Sequence, residues 1–182
     1  GTFEMTGGEL NLAARFYVSG GVATISGGTV NLSTLGHSNS TYASFHISAN
    51  TDLTVSGSAQ IIFHNPNSGS AGDLFIVSGG SGTKNISGGT FIFGSNSTGS
   101  NVEFVVNSPF SLSNLTINSH NSPGILISGN DLTINGQLTM NGGNINASSQ
   151  NLIVGSSGDI TRNSGFVTGN LQRGITGSGT YL

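Results

Sequence analysis

The residues with the widest chemical reach in this 182-residue chain are its seven acids and four histidines. The acids are Glu4, Glu9, Asp52, Asp73, Glu103, Asp131 and Asp159. Cleavage of a glycosidic bond needs two carboxyl groups placed together, one to give a proton and one to activate water or attack. Eliminative cleavage of a uronate needs a base with a cation beside it. No two acids are adjacent here, and none neighbours a lysine or arginine. One spacing stands out. Glu103, Asp131 and Asp159 recur every 28 residues, each immediately before an apolar residue, Phe104, Leu132 and Ile160. Stacked on one face, they would hold a cation or a sugar hydroxyl. Read as surface charges at strand starts, they are only solvated, and that plainer reading is preferred because acids belong at surfaces. His37, His46, His64 and His120 lack the short spacing of a metal site, and cysteine is absent. Gly79-Gly-Ser-Gly-Thr begins like a calcium-binding nonapeptide, but Lys84 stands where the ligand aspartate should be. No cofactor or metal is expected.

Three tyrosines remain, Tyr17, Tyr42 and Tyr181. An exposed aromatic ring can stack against a sugar ring while its hydroxyl stays wet. Tyr17 alternates with Phe16 and Val18, so it should face outward, and Tyr42 falls in an expected corner loop. These two are the candidate ligand contacts. The mixed Thr spacing rules out a flat Thr-x-Thr ice-binding array. The Asn-x-Ser/Thr sequons at Asn31, Asn39, Asn85, Asn96, Asn114 and Asn146 carry no argument in a chain so rich in these residues.

Composition limits what positions these groups. Glycine alone accounts for 30 residues, and together Gly, Ser, Asn and Thr make up more than half of the chain. Helix propensity is poor throughout, and no long helix is expected. Charged residues are only 6% and the net charge is -3, while hydrophobics reach 34%. Disorder pairs low hydrophobicity with high net charge, which is the opposite balance. Four scattered cations (Arg15, Lys84, Arg162, Arg173) give no footprint for nucleic acid. No apolar run is long enough for a helical membrane span, so membrane insertion is not expected.

The chain repeats. Met5-Thr-Gly-Gly-Glu-Leu-Asn-Leu12 recurs as Ile25-Ser-Gly-Gly-Thr-Val-Asn-Leu32, as Val55-Ser-Gly-Ser-Ala-Gln-Ile-Ile62 and as Ile86-Ser-Gly-Gly-Thr-Phe-Ile-Phe93. A second block follows Phe16, Phe45, Phe75 and Phe104 at steps of 29, 30 and 29, then continues loosely at Ile125 and Leu152. Within the repeats apolar residues alternate, as in Ile61/Phe63, Phe91/Phe93 and Leu115/Ile117, which is the strand period. Short alternating strands with Gly-rich corners predict an all-β parallel β-helix (β-solenoid). It would have about six coils of three short strands and a length on the order of 30 Å at strand spacing. A sandwich or barrel is the rival, but it has no reason to repeat its Phe in register. Phe16, Phe45, Phe75 and Phe104 should then form one interior stack. Asn at the corners should form amide ladders. Loops Gly36–Ser44, Asn65–Asp73 and Ser95–Asn101 should project from one corner. Residues 1–182 read as a single solenoid segment of a longer protein. Residues 165–182 read as a terminal coil leading to a following domain.

The repeated Ile-Ser-Gly-Gly-Thr resembles the passenger regions of bacterial surface β-helix proteins, autotransporter adhesins included. The tail, Gly165 to Tyr181, resembles a segment of very large secreted proteins of Bacteroidota. There a Phe-Val-x-Gly-x-Leu-x-Arg stretch closes a run of coils. Phe166, Val167, Gly169, Leu171, Arg173 and Tyr181 match it. The resemblance implies an adhesin-like protein exported by the type IX route, and it assigns no catalytic residue. Arg173 is expected to make a structural contact that caps the last coil. The expectation is a non-catalytic structural and adhesive stalk, extracellular at a bacterial cell surface. Its loops would meet a polysaccharide or protein, and its ends further coils of the same chain. The alternatives are a carbohydrate-binding module, or a polysaccharide lyase or glycosidase on the same scaffold.

Overall fold

The computed structural model describes residues 1–95, 103–119 and 124–174. None of these lies in a helix, and none forms a helix able to cross a membrane. The first strands are β1 (Thr2–Asn11), β2 (Phe16–Val18), β3 (Gly21–Leu32), β4 (Phe45–Ile47), β5 (Thr51–Val55) and β6 (Gln60–Phe63). Next come β7 (Leu74–Ile76), β8 (Lys84–Ile86), β9 (Thr90–Phe93), β10 (Phe104–Asn107), β11 (Asn114–Asn118) and β12 (Gly124–Ile127). The last are β13 (Leu132–Ile134), β14 (Gln137–Gly142), β15 (Asn144–Val154), β16 (Asp159–Arg162) and β17 (Val167–Arg173).

These strands form two sheets, and every pairing between them is parallel. Sheet A holds β1, β3, β5, β6, β8, β9, β11, β14 and β16; sheet B holds the rest. The chain crosses from one sheet to the other and back, so each strand pairs with its counterpart in the next pass. The repeat seen in the sequence is the register. Met5, Ile25, Val55 and Ile86 are cross-strand neighbours in one row. Leu10, Val30, Ile61, Phe91, Leu115, Leu138 and Ile160 form a second row. Both rows alternate with outward residues. Their buried members join one continuous core with the inner residues of sheet B. Each fully buried Val, Leu, Ile or Phe contributes about 1.5–3 kcal/mol.

Three expectations need correction. The short strands were expected three to a pass, but they assemble into two sheets. β3 runs unbroken through Ser26-Gly27-Gly28 because glycine lets the backbone bend without leaving the ladder. Gly28 has φ +79, and a Cβ there would run into the backbone of Gly7 and Gly8 in the strand beside it. Phe75, expected inside, lies outside. Its strand buries Leu74 and Ile76, and it is Leu74 that pairs with Phe45. Phe104 is buried but does not follow Phe75 in the stack, because Leu74 pairs with Val106 and Phe75 with Asn107. The interior stack is therefore Phe16 on Phe45, with ring centroids 5.4 Å apart. Phe63 and Phe93 form a second stack at 4.3 Å, and Phe104 meets Phe93 edge-on across the core at 5.6 Å. Farther along, Ile125 pairs with Ile145, while Leu152 sits between Leu132 and Leu171.

Asparagine ladders run along the stack. Asn163 donates from Nδ2 to Asn141 Oδ1, and Asn141 in turn to Asn118 Oδ1, each at 2.8 Å. Asn31 donates to Asn11 Oδ1 at 2.8 Å and to Glu9 Oε1 at 2.7 Å. Each amide both gives and takes a bond, so polar rows stack without unpaired groups.

Candidate functional site

The outward face of sheet B carries the densest cluster of aromatic rings on the molecule's surface. Period two turns Tyr17 outward from β2, His46 from β4, Phe75 from β7 and Asn107 from β10. These four are consecutive cross-strand neighbours. Tyr42, from the loop before β4, lies over the same row. Its ring is 4.3 Å from Tyr17, centroid to centroid, and tilted by 30°. His46 meets Tyr17 edge-on at 5.2 Å, Tyr42 at 5.4 Å and Phe75 at 5.1 Å. Arg15 sets its guanidinium 5.7 Å from the centre of the Tyr42 ring, a cation–π contact. Tyr17 stays 40% exposed, whereas His46 is covered by its neighbours. Burial lowers the His46 pKa. The Ala43 N–H donates to His46 Nδ1 at 3.4 Å, which leaves the ring proton on Nε2.

Beside Phe75 the surface opens into a groove of about 280 Å³. Phe75, Asn107 and Ser128 line it from the sheet, and Ser40, Thr41 and Ser70 from the loops. Both loops are held by hydrogen bonds rather than by apolar packing. Asn67 Oδ1 accepts from the Asn39 N–H at 2.8 Å and the Gly69 N–H at 3.0 Å. Its Nδ2 donates to Asn39 O at 2.9 Å and Gly72 O at 3.0 Å. Beneath them lies Asp73, fully buried. Its Oδ1 accepts from Ser44 Oγ and from the Asn67 N–H, both at 2.8 Å, and its Oδ2 from the Val105 N–H at 3.0 Å. One carboxyl thus ties three successive passes together. Burial pushes it up to about 7, against the three donors that favour the charged form.

The three evenly spaced acids are not brought together. Glu103, half-buried at the start of β10, accepts from Asn146 Nδ2 at 3.5 Å. Asp131 is exposed before β13, where Asn151 donates to it from Nδ2 at 3.0 Å and from its N–H at 2.8 Å. These bonds hold its carboxyl below the usual range. Asp159 opens β16 in the other sheet, and its carboxylate accepts the N–H of Ile160 at 2.8 Å. The spacing of 28 fails because the passes change length along the chain, so equal spacing does not mean equal phase. A neighbouring acid and lysine, Asp52 and Lys84, close a turn. The Asp52 carboxylate takes the Thr83 N–H at 2.7 Å and hydroxyl at 3.0 Å, which lower its pKa. The Lys84 ammonium donates to the carbonyls of Ala49, Thr51 and Gly82. Among the described residues no group of three His, Asp or Glu side chains could hold a metal. Arg173 donates to Gly158 O at 3.4 Å. Tyr181 and His120 lie outside the described residues.

Comparison of the chain with protein-family models, curated proteins and solved structures finds no match. The site must therefore be read from its own chemistry. The sequence picked out Tyr17 and Tyr42 but missed the two residues that join them to the groove. His46 was read as an ordinary polar-face residue and Phe75 as core. The signal for Phe75 was present in Leu74-Phe75-Ile76, where strict alternation buries the flanking pair.

Proposed function

We propose that the chain is a parallel β-solenoid segment of a large secreted bacterial surface protein. Its role is structural and adhesive, and it attaches to carbohydrate through the outer face of sheet B. The observation that carries the reading is the Tyr17–Tyr42 pair, exposed at the surface and continuous with His46 and Phe75. Aromatic rings in such a place contact the apolar faces of sugar rings, with polar groups nearby to fix orientation. The solenoid form is supported by parallel pairing from pass to pass and by strands that alternate between two sheets over one core. Low charge and paired amides suit a stalk, since they let passes stack closely. Phe166 and Leu171, exposed beside and on edge strand β17, support a covering neighbour in the form of further coils of the same polypeptide. The catalytic alternative gains no support from the acids, whose carboxylates face different strands and serve as local hydrogen-bond acceptors.

The test is binding of the purified chain to a glycan array and to insoluble polysaccharides, alongside Tyr17→Ala and Tyr42→Ala variants. Retention that both variants lose is the expected result. No retention on any glycan, or retention unchanged in both variants, would overturn the adhesive reading.

A further inference from the structure

The aromatic row and the hydroxyl-lined groove are parts of one continuous track. Tyr17, His46, Phe75 and Asn107 occupy the same register position on four adjacent strands, β2, β4, β7 and β10. Ser128, just past β12 on the far side of β10, continues the line at the groove's end. Five strands mean four interstrand steps, about 19 Å at about 4.8 Å each. The track therefore runs along the stacking direction, across the strands, and its length exceeds one sugar ring several times over.

Its chemistry changes along that length. At the β2 end it offers aromatic faces, Tyr17 and Tyr42. At the β10–β12 end it offers Asn107, Ser128, Ser40, Thr41 and Ser70, groups that donate and accept without charge. Phe75 lies between the two. Asn107 Oδ1 already accepts from Asn130 Nδ2 at 2.7 Å, which orients its amide. The ionisable groups nearby do not add a charge to the track. Asp73 is buried beneath it, His46 is kept neutral by burial, and Glu103 sits at the opposite end of β10 from Asn107. Arg15 stands beyond Tyr42, with its guanidinium turned to the ring. The wall is also preorganised, because Asn67 and Asp73 hold both loops before any ligand arrives. Binding then costs little loop ordering.

From this, and resting on the carbohydrate-binding reading above, we infer that the ligand is a neutral, extended polysaccharide. It lies along the stacking direction, with one sugar on Tyr17 and Tyr42 and another hydrogen-bonded in the groove at Asn107 and Ser128. An acidic polymer would meet no cation in the groove and would have to shed its hydration there.

The experiment is calorimetric titration of the full 182-residue chain with di-, tetra- and hexasaccharides. Neutral series of β-1,4-glucan, mannan and xylan are run beside an oligogalacturonate series. The expected result is an affinity that rises with length in a neutral series, by roughly tenfold or more from di- to hexasaccharide. Tyr17→Ala and Ser128→Ala should each weaken the hexasaccharide roughly tenfold. Both residues lie at the surface track, and an unchanged far-ultraviolet spectrum confirms that each variant folds. Tighter binding of oligogalacturonate would overturn the inference while leaving carbohydrate binding intact. So would neutral binding that is flat in length or insensitive to Ser128→Ala. Absence of binding in every series would overturn both.

Discussion

The two ends of this molecule build the same parallel ladder from passes of different length. In the first part, cross-strand partners lie about 30 residues apart: Phe16 with Phe45, Val30 with Ile61, Ile61 with Phe91. In the second they are 20 to 23 residues apart: Ile125 with Ile145, Leu115 with Leu138, Leu138 with Ile160. The shorter passes show how little a pass needs to stack. They carry Leu, Ile and Met inside and the Asn118–Asn141–Asn163 ladder along one edge. Two of the longer passes spend their surplus on the loops spanning 36–44 and 65–73. Phe rings fill the interior there, and Tyr17, His46 and Phe75 crowd the outer face. Residues beyond the structural minimum are where a ligand surface can be built. The comparison thus separates scaffold from site within one ladder.

The sharpest way to break that contrast is to empty the aromatic core. Phe93 is fully buried, stacked on Phe63 and edge-on to Phe104, so Phe93→Ala should cost about 3–5 kcal/mol. Stacked passes couple mainly to their neighbours. Hydrogen exchange should accordingly rise more in β6, β9 and β10 than in β14 and β16. Equal acceleration throughout would mean that the two parts unfold as one.

Asp73 sharpens the contrast through pH. Its folded carboxyl titrates near 7 against an ordinary value of 3.8, so the protonated form favours the folded chain. That contribution is full below pH of about 3.8 and is lost as pH rises through about 7, on the order of 4 kcal/mol in all. Asp73→Asn should flatten this alkaline loss, seen as a smaller drop in Tm between pH 5.5 and pH 8 than in the parent chain. The amide cannot satisfy both the Ser44–Asn67 side and the Val105 N–H, so the variant should also be less stable at the lower pH. An unchanged pH slope would remove Asp73 from the account.

In the short passes the ladder should matter less. Asn141→Ala removes one bond given and one received, and should cost about 1–2 kcal/mol by chemical denaturation. The smallest effect on stability belongs to the binding face. Tyr17→Ala should leave unfolding within about 0.5 kcal/mol while abolishing retention on carbohydrate. A large loss of stability would recast Tyr17 as a packing residue.

Much of this contrast was legible in the residues. The Met5–Ile25–Val55–Ile86 block repeats because parallel register places like residues side by side, and Tyr17 faces outward by alternation alone. Phe75 was misplaced because a matching letter at a matching step was given more weight than the two apolar residues flanking it. In a strand, inside and outside are decided by local alternation. The spacing of Glu103, Asp131 and Asp159 misled for a related reason, since it spans passes of unequal length. Asp73 carries no local mark at all. Its three donors come from residues 44, 67 and 105, and only the folded loops bring them to one carboxyl.

The most direct test of the division between scaffold and site is an amide chemical-shift titration of the isotope-labelled chain with a neutral β-1,4-linked hexasaccharide. The account predicts shifts that saturate together at Tyr17, His46, Phe75, Asn107 and Ser128, with residues 131–173 unmoved. Shifts centred on residues 131–173, with the Tyr17-to-Ser128 row silent, would contradict it.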